Sequence, residues 1–303
     1  SRQSYGMLTI GHVPFLWVLL FYFMTGLWIW KKNGQNRHIR ISLAYVIMII
    51  LIWIPMARRK SLAFLDVGQG DCFVADTKSG AIIFDGGSSS EDQVGRYRIL
   101  PYMKYLGYQK IQIAVISHMD IDHYSGIKEL LEMGKIKYLG LPEIPKDETM
   151  KKIIGIAKKR GTTIFYLSRG RQITTKDGSL KVLHPQKNSQ MEKNAASLVM
   201  QGKILGYRVL LTGDVEKEGE EELLSEELER ADILKAAHHG SKNSTSNEFL
   251  QKVQPKQTVI SCGKQNRYGH PHLETIHRLQ TYRTKIYRTD RSGAIIFFKR
   301  RDG

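Results

Sequence analysis

The pattern of apolar and polar positions changes once along the chain, near residue 60. From Val13 to Trp30 it reads VPFLWVLLFYFMTGLWIW, and from Ile41 to Met56 ISLAYVIMIILIWIPM, apolar on every face and without charge. Such stretches predict helices with no polar side. At about 1.5 Å per residue they reach roughly 24 to 27 Å, and starting the first at Thr9 closes the gap to a hydrocarbon core of roughly 30 Å. Trp28, Trp30 and Trp53 fall where interfacial anchors belong. The expectation is a membrane region over residues 1–60 with two transmembrane helices, about 9–30 and 41–56. The connector between them carries Lys31, Lys32, Arg37 and Arg40, which by the positive-inside rule places it in the cytoplasm and residues 61 onward outside, although Arg58, Arg59 and Lys60 pull the other way.

Beyond Lys60 short apolar runs punctuated by glycine predict strands: Leu62 to Asp66, Cys72 to Ala75 and Ala81 to Asp85, then Ile111 to Ile116, Lys137 to Leu141, Thr163 to Leu167, Leu180 to Leu183, Ser197 to Gln201, Tyr207 to Leu211, Ile233 to Ala236, Gln257 to Ser261 and Ala294 to Phe298. Helical spacing appears from about Asp122 to Glu132, Glu148 to Lys159, Glu216 to Glu229, Ser246 to Val253 and His272 to Tyr282. So many strands exceed one ordinary open sheet. Two packed sheets with helices outside are the more economical α/β architecture, and residues 61–303 read as one domain.

Composition sharpens this picture at three points. With 42% hydrophobic residues in 303, a sizeable core is available and disorder is excluded. The formal charge of +17 points to a polyanionic partner, nucleic acid or an anionic membrane surface. The two cysteines, Cys72 and Cys262, lie far apart and outside any CxxC spacing, so neither a zinc knuckle nor a disulfide framework is indicated. Residue 1 is not methionine and no signal-cleavage pattern follows the apolar stretches, so the chain reads as the tail of something longer.

Chemistry concentrates where strands end. Ser117-His118-Met119-Asp120-Ile121-Asp122-His123 places two histidines and two carboxylates in six positions directly after an apolar run. Asp85 follows Ile-Ile-Phe, Asp214 follows Val-Leu-Leu-Thr-Gly, and His238-His239 follow Ile-Leu-Lys-Ala-Ala. Side chains from distant sequence positions converge at such ends, and a density of His and Asp points to a metal centre.

The run His118 to His123 resembles a variant of the H-x-H-x-D-H signature of the metallo-beta-lactamase fold, and Phe84-Asp85-Gly86-Gly87, Leu211-Thr212-Gly213-Asp214 and His238-His239-Gly240-Ser241 match its other motifs in order. More narrowly, FLDVGQGD at Phe64 to Asp71, NAASLVM at Asn194 to Met200, KAAHHGSKNSTS at Lys235 to Ser246, YGHP at Tyr268 to Pro271 and YRTDRSGAI at Tyr287 to Ile295 resemble the C-terminal domain of the ComEC competence DNA-uptake channel family. The resemblance implies an αββα sandwich with two divalent metal ions. It places His118 and Asp120 at one metal, Asp122, His123 and His238 at the other, with His239 as the alternative to His238, and Asp214 between them. Asp85 and Asn194 support these ligands. Asp120 and Asn194 stand where the superfamily commonly has histidine, and oxygen donors there favour Mn²⁺ over Zn²⁺, with Mg²⁺ also possible.

Two such ions lower the pKa of a shared water and clamp the attacking and leaving oxygens of a displacement at phosphorus. No Gly-x-Ser-x-Gly elbow is present, which argues against a serine hydrolase. Ser241, Lys242 and Asn243 enter a helix through a capping box and are expected to face a phosphate, and His270 is expected to donate a proton to the leaving oxygen or to contact phosphate. Towards the C-terminus Tyr268, Tyr282 and Tyr287 are interleaved with ten basic side chains from Lys264 to Arg301, a pattern that suits single-stranded DNA. The expected protein is a multi-pass membrane nuclease whose hydrolase domain lies on the extracellular face, partnered by DNA, the membrane and the rest of an uptake channel. Its rivals are a hydrolase of another ester or phosphoester in the same fold and a non-catalytic DNA-binding module.

Overall fold

The computed structural model describes residues 11–30, 39, 42–47, 59–226 and 228–300. Residues 1–58 with 104–109 form one compact unit, and 59–103 with 110–303 another. In the first unit a helix spans Phe15–Trp30, and its side chains Phe15, Leu16, Tyr22, Phe23 and Ile29 are exposed. Sixteen helical residues rise about 24 Å, short of a bilayer core. No helix among the described residues is long and apolar enough to cross a membrane. The expected first span thus appears only in part, and of the second only 42–47 are described, in helical conformation.

The second unit opens with β1 (Ser61–Phe64), β2 (Phe73–Thr77), β3 (Gly80–Phe84), β4 (Ile111–Val115), β5 (Ile136–Pro142) and β6 (Thr163–Leu167). A second set follows: β7 (Gln172–Thr175), β8 (Gly178–His184), β9 (Val199–Ile204), β10 (Tyr207–Leu211), β11 (Ile233–Lys235), β12 (Gln257–Ile260) and β13 (Lys285–Arg288). The last strand, β14 (Ile295–Phe298), returns to the first set. The two sheets run β14-β1-β2-β3-β4-β5-β6 and β13-β12-β11-β10-β9-β8-β7. Each is mixed in the same way, antiparallel from β14 to β3 and from β7 to β10, and parallel from β3 to β6 and from β10 to β13.

Strand periodicity builds two apolar layers from one set of residues. Leu62, Phe64, Phe84 and Val115 of the first sheet pack with Val182, Met200, Val209 and Leu211 of the second. The alternate positions Val199, Leu210, Leu234 and Ile260 turn the other way, onto Leu223, Phe249, Leu250 and Leu279 from the helices Lys217–Leu224, Asn247–Val253 and Leu273–Thr281. On the first sheet the crossover helices Ile121–Glu132 and Glu148–Lys159 bury Ile127, Leu130, Leu131, Met150 and Ile153. Asp147 caps the second of these, its carboxylate accepting from the Met150 N–H at 2.7 Å.

Departures from the periodicity reading have local causes. Strands β7 and β13 were not anticipated, since they are short and mostly half-buried or exposed. A helical segment over 95–105 was likewise missed, because Tyr97 is exposed and only Gly95, Ile99 and Met103 in it are buried. The helix expected to reach Glu229 ends at Leu224, where Lys252 Nζ donates to the carbonyls of Leu224 and Glu226.

Candidate metal centre

Parallel pairing sets the position of the centre. Phe84 lies opposite Val115 and Val209 opposite Ile233, so the loops that leave β3, β4, β10 and β11 emerge side by side at the carboxyl ends of both sheets. Asp85 leaves β3 in a left-handed conformation (φ 57°) and is fully buried. Its Oδ1 accepts from the Ser117 N–H at 2.7 Å, and its Oδ2 lies 2.9 Å from His123 Nδ1. A carboxylate at that nitrogen keeps the proton on Nδ1 and turns Nε2 inward. Likewise His239 Nδ1 lies 2.9 Å from the Ser261 carbonyl, which only accepts, so this ring also presents Nε2.

The two Nε2 atoms converge. His123 Nε2 lies 3.2 Å and His239 Nε2 3.3 Å from Asp214 Oδ2, and His239 Nε2 lies 3.3 Å from Asp122 Oδ2. Next to them His118 Nε2 lies 3.4 Å from Asp120 Oδ2. Asp122 is supplied by the first turn of the helix that begins at Ile121, while Asp120 stands just before it in extended conformation. Asp214 follows Gly213, whose φ of 53° makes the turn, and its N–H donates to Ser197 Oγ at 3.3 Å.

The arrangement fits a cation. His118, His123 and His239 each keep a buried Nε2 with no hydrogen-bond partner among the described residues. Unpartnered lone pairs facing carboxylates in the interior are costly unless a positive charge completes them. The same carboxylates draw positive charge toward the rings, here as protons. Burial opposes charge on His123 and His239, yet the carboxylates led by Asp214 outweigh it and hold both imidazoles well above their ordinary pKa. Burial likewise opposes the Asp214 carboxylate, but His123, His239 and Lys235 hold its pKa well below the usual range.

Two partners escaped the sequence reading. Asp71, in the quoted run Asp-Val-Gly-Gln-Gly-Asp, joins His123, Asp214 and His239 in one buried cluster of possible ligands. Its oxygens approach His239 Nδ1 at 3.5 Å and His123 Nδ1 at 3.7 Å, the ring edges opposite the convergent Nε2 atoms. Geometry therefore places Asp71 behind the imidazoles. There it pairs with the buried ammonium of Lys235, which also donates to the Gly213 carbonyl at 2.8 Å and lies 3.4 Å from Asp214 Oδ1. Both residues lie inside motifs already singled out, but a lysine directly after the apolar pair Ile233-Leu234 reads as solvent-facing until the fold buries it.

The two members of the histidine pair stand differently, although both line the same cavity. His238 and His239 both take left-handed conformations (φ 48° and 53°) rather than continuing a strand. His239 is buried in the cluster, whereas His238 lies 3.8 Å from Asp214 Oδ2 through Nε2 and turns Nδ1 to within 2.8 Å of Glu216 Oε1. Asp120, Asp122, Asn194, Asp214, His239 and His270 line one cavity of 360 Å³. Asp120 also pairs with Lys193. Asn266 brackets His270, accepting from its N–H at 2.9 Å and donating to its carbonyl at 2.6 Å. Burial, then the neighbouring charges of His239, His238 and His272, push the His270 pKa down to about 4, so its ring is neutral near pH 7.

The expected phosphate loop differs. The amides of Thr245 and Ser246 donate to the buried Glu220 carboxylate, that of Asn243 to Ser241 Oγ and that of Lys242 to His272 Nδ1. Lys242 and Asn243 line a separate cavity with Glu220 and Arg278. The capping groups are thus already satisfied within the fold, for which Glu220 supplies a charge the local sequence does not reveal.

Residues 65–264 match the family described as Metallo-beta-lactamase superfamily. Over 294 residues the chain is 35% identical to ComE operon protein 3 of Bacillus subtilis (strain 168), covering 90% of this chain and 38% of that protein. Over 248 residues it is 30% identical to Competence protein ComA of Neisseria gonorrhoeae, covering 78% and 32%. It therefore spans about a third of the length of these curated relatives. In fold it is similar to the metallo-beta-lactamase fold protein YhfI from Bacillus subtilis, with a TM-score of 0.54 at 12% identity over 78% of this chain and 99% of that one. With its mixed sheets meeting at a buried Asp/His cluster consistent with metal-dependent hydrolysis, the chain belongs to the metallo-beta-lactamase superfamily.

Proposed function

We propose that this protein is a metal-dependent nuclease that hydrolyses DNA phosphodiesters at a membrane during DNA uptake, degrading the strand that is not transported. The observation that carries the hydrolytic part is the convergence of unpartnered His123 and His239 Nε2 atoms on Asp214 and Asp122 at the wall of a cavity. DNA is supported by the formal charge of +17 and by relatives named for competence. The membrane is supported by the exposed apolar helix Phe15–Trp30.

In this reading Asp122, His123, Asp214 and His239 would hold one cation, and His118 and Asp120, with Asp214, would hold a second. Asp120 and Asn194 contribute oxygen donors, which favours Mn²⁺ or Mg²⁺ over Zn²⁺. When bound, such ions supply Lewis acidity and an activated water. Asp85 keeps the His123 proton on Nδ1. The backbone contacts Asp71 N–H to Asp122 carbonyl and Gly86 N–H to His123 carbonyl, at 3.0 and 2.8 Å, fix where these two ligands stand. His270, neutral near pH 7, contacts the phosphoryl group as a hydrogen-bond donor.

The test uses the full chain with end-labelled single- and double-stranded DNA and Mn²⁺, Mg²⁺, Zn²⁺ or chelator. Cleavage with Mn²⁺ is expected, abolished by chelator and by the folded Asp122→Ala/His123→Ala double variant. A folded, metal-loaded protein that binds DNA in a salt-sensitive manner without cutting it would replace the nuclease by a DNA-binding module.

A further inference from the structure

The proposed reaction leaves one buried amide in the cavity unused. Gln69 lies between β1 and β2 and is 2% exposed. Its backbone is held on one side, the N–H donating to Ser90 Oγ at 2.8 Å and the carbonyl accepting from the Ser89 N–H at 2.8 Å. The side chain goes elsewhere, with Oε1 accepting from the Gly263 N–H at 3.1 Å. A backbone N–H only donates, so oxygen must face Gly263 and the amide cannot be flipped. Nε2 is thereby turned away from Gly263, and it has no partner among the described residues.

Gln69 lines the same cavity as Asp122, Asp214, His239 and His270. The loops around it have little slack, since a Cβ on Gly263 would stand 2.7 Å from Gln69 N. A buried donor without an acceptor is rare in a folded chain, and one pinned at the wall of a ligand cavity is suited to an acceptor brought by the ligand. A donor is what the carboxylates of that wall cannot supply: Asp120, Asp122 and Asp214 offer only acceptor oxygens, which attract cations and repel anions. A neutral amide donates to an anion without competing with cations for those carboxylates. His270 Nδ1, likewise buried and unpartnered, belongs to the same wall.

Building on the proposed phosphodiester reaction, we propose that Gln69 Nε2 donates to a non-bridging oxygen of the substrate phosphoryl group, making Gln69 a substrate-binding residue of this site. Gln69→Glu retains the acceptor for Gly263 while putting an anionic oxygen in place of the donor, and Gln69→Ala removes both acceptor and donor without adding charge. The full chain and both variants are loaded with Mn²⁺. Inorganic phosphate binding is then measured by calorimetry, bis(4-nitrophenyl) phosphate turnover by absorbance, and metal content by elemental analysis. Phosphate affinity and kcat/KM should each fall about 10- to 100-fold in both variants, the worth of one hydrogen bond to a charged group, with manganese content unchanged. Phosphate affinity within twofold of wild type in folded, loaded Gln69→Glu would overturn the contact, as would losses that track lost manganese. A wild-type chain that binds phosphate but cleaves no phosphodiester would instead overturn the proposed reaction, leaving the Gln69 contact to stand or fall on the phosphate arm.

Discussion

Lys235 and Asp71 show how much the centre depends on a pair of side chains that stand behind its convergent Nε2 atoms. Both are nearly inaccessible, and burial penalises each charge. The carboxylates of Asp71 and Asp214 nevertheless hold the Lys235 pKa above its ordinary value, and Lys235 leads the groups that hold Asp71 below its own. Removing one partner strands the other in the interior. Lys235→Met should therefore destabilise the metal-stripped chain by roughly 3 to 5 kcal/mol, and adding Asp71→Asn should recover much of that loss. Chemical denaturation of the two variants checks this; equal stabilities for the single and double variants would mean that the pair is not coupled.

The helix Ile121–Glu132 delivers Asp122 and His123, and its start is fitted against the loop after β3 with no room to spare. A Cβ on Gly87 would stand 2.5 Å from the Ile121 carbonyl oxygen and 2.6 Å from His123 N. These are backbone atoms, which cannot swing aside as a side-chain tip does. Gly87→Ala should thus push the helix start outward, costing about 1 to 3 kcal/mol and weakening metal binding although every candidate ligand remains. Metal titration of the variant measures this, and wild-type affinity would show that the helix can shift without displacing its two ligands.

Across the two-sheet unit, the first and last strands pair, and the segment after the last strand reaches the other sheet. β14 pairs with β1, with Phe297 opposite Leu62, and Arg300 just beyond it reaches Asp232 at the start of β11 in the other sheet. The Asp232 carboxylate also accepts from the Arg208 N–H at 2.9 Å and pairs with Lys256 at 2.9 Å. Burial works against its charge, but these donors prevail and hold the pKa below the usual carboxylate range. A carboxylate depressed in this way stabilises the fold above its unfolded pKa, and the contribution fades as pH falls through the folded one. Asp232→Asn should therefore be less stable than wild type at pH 7, and the gap should close as pH drops below 3.8. Denaturant midpoints across that range decide it, and a gap that stays constant with pH would assign the loss to packing.

What the sequence determined by itself was local. Short apolar runs punctuated by glycine predicted twelve of the strands and 3.6-period runs the helices that back both sheets, because such runs reflect which stretches and faces are buried. Strand ends carrying Asp85, the His118 to His123 run, Asp214 and the histidine pair marked the centre, since those residues interrupt apolar runs where a strand must stop. The direction of a side chain in a loop is different in kind. It depends on backbone conformation and on partners remote in sequence, neither of which leaves a period. Hence only the tertiary structure turned His239 rather than His238 inward, through a left-handed turn in place of a strand. It alone set Lys235 beside Asp71, gave the Thr245 and Ser246 amides to Glu220, and pinned Gln69 to Gly263 so that its amide was left over. Each of these last contacts joins residues at least 25 positions apart, chosen by where packed sheets bring loops together.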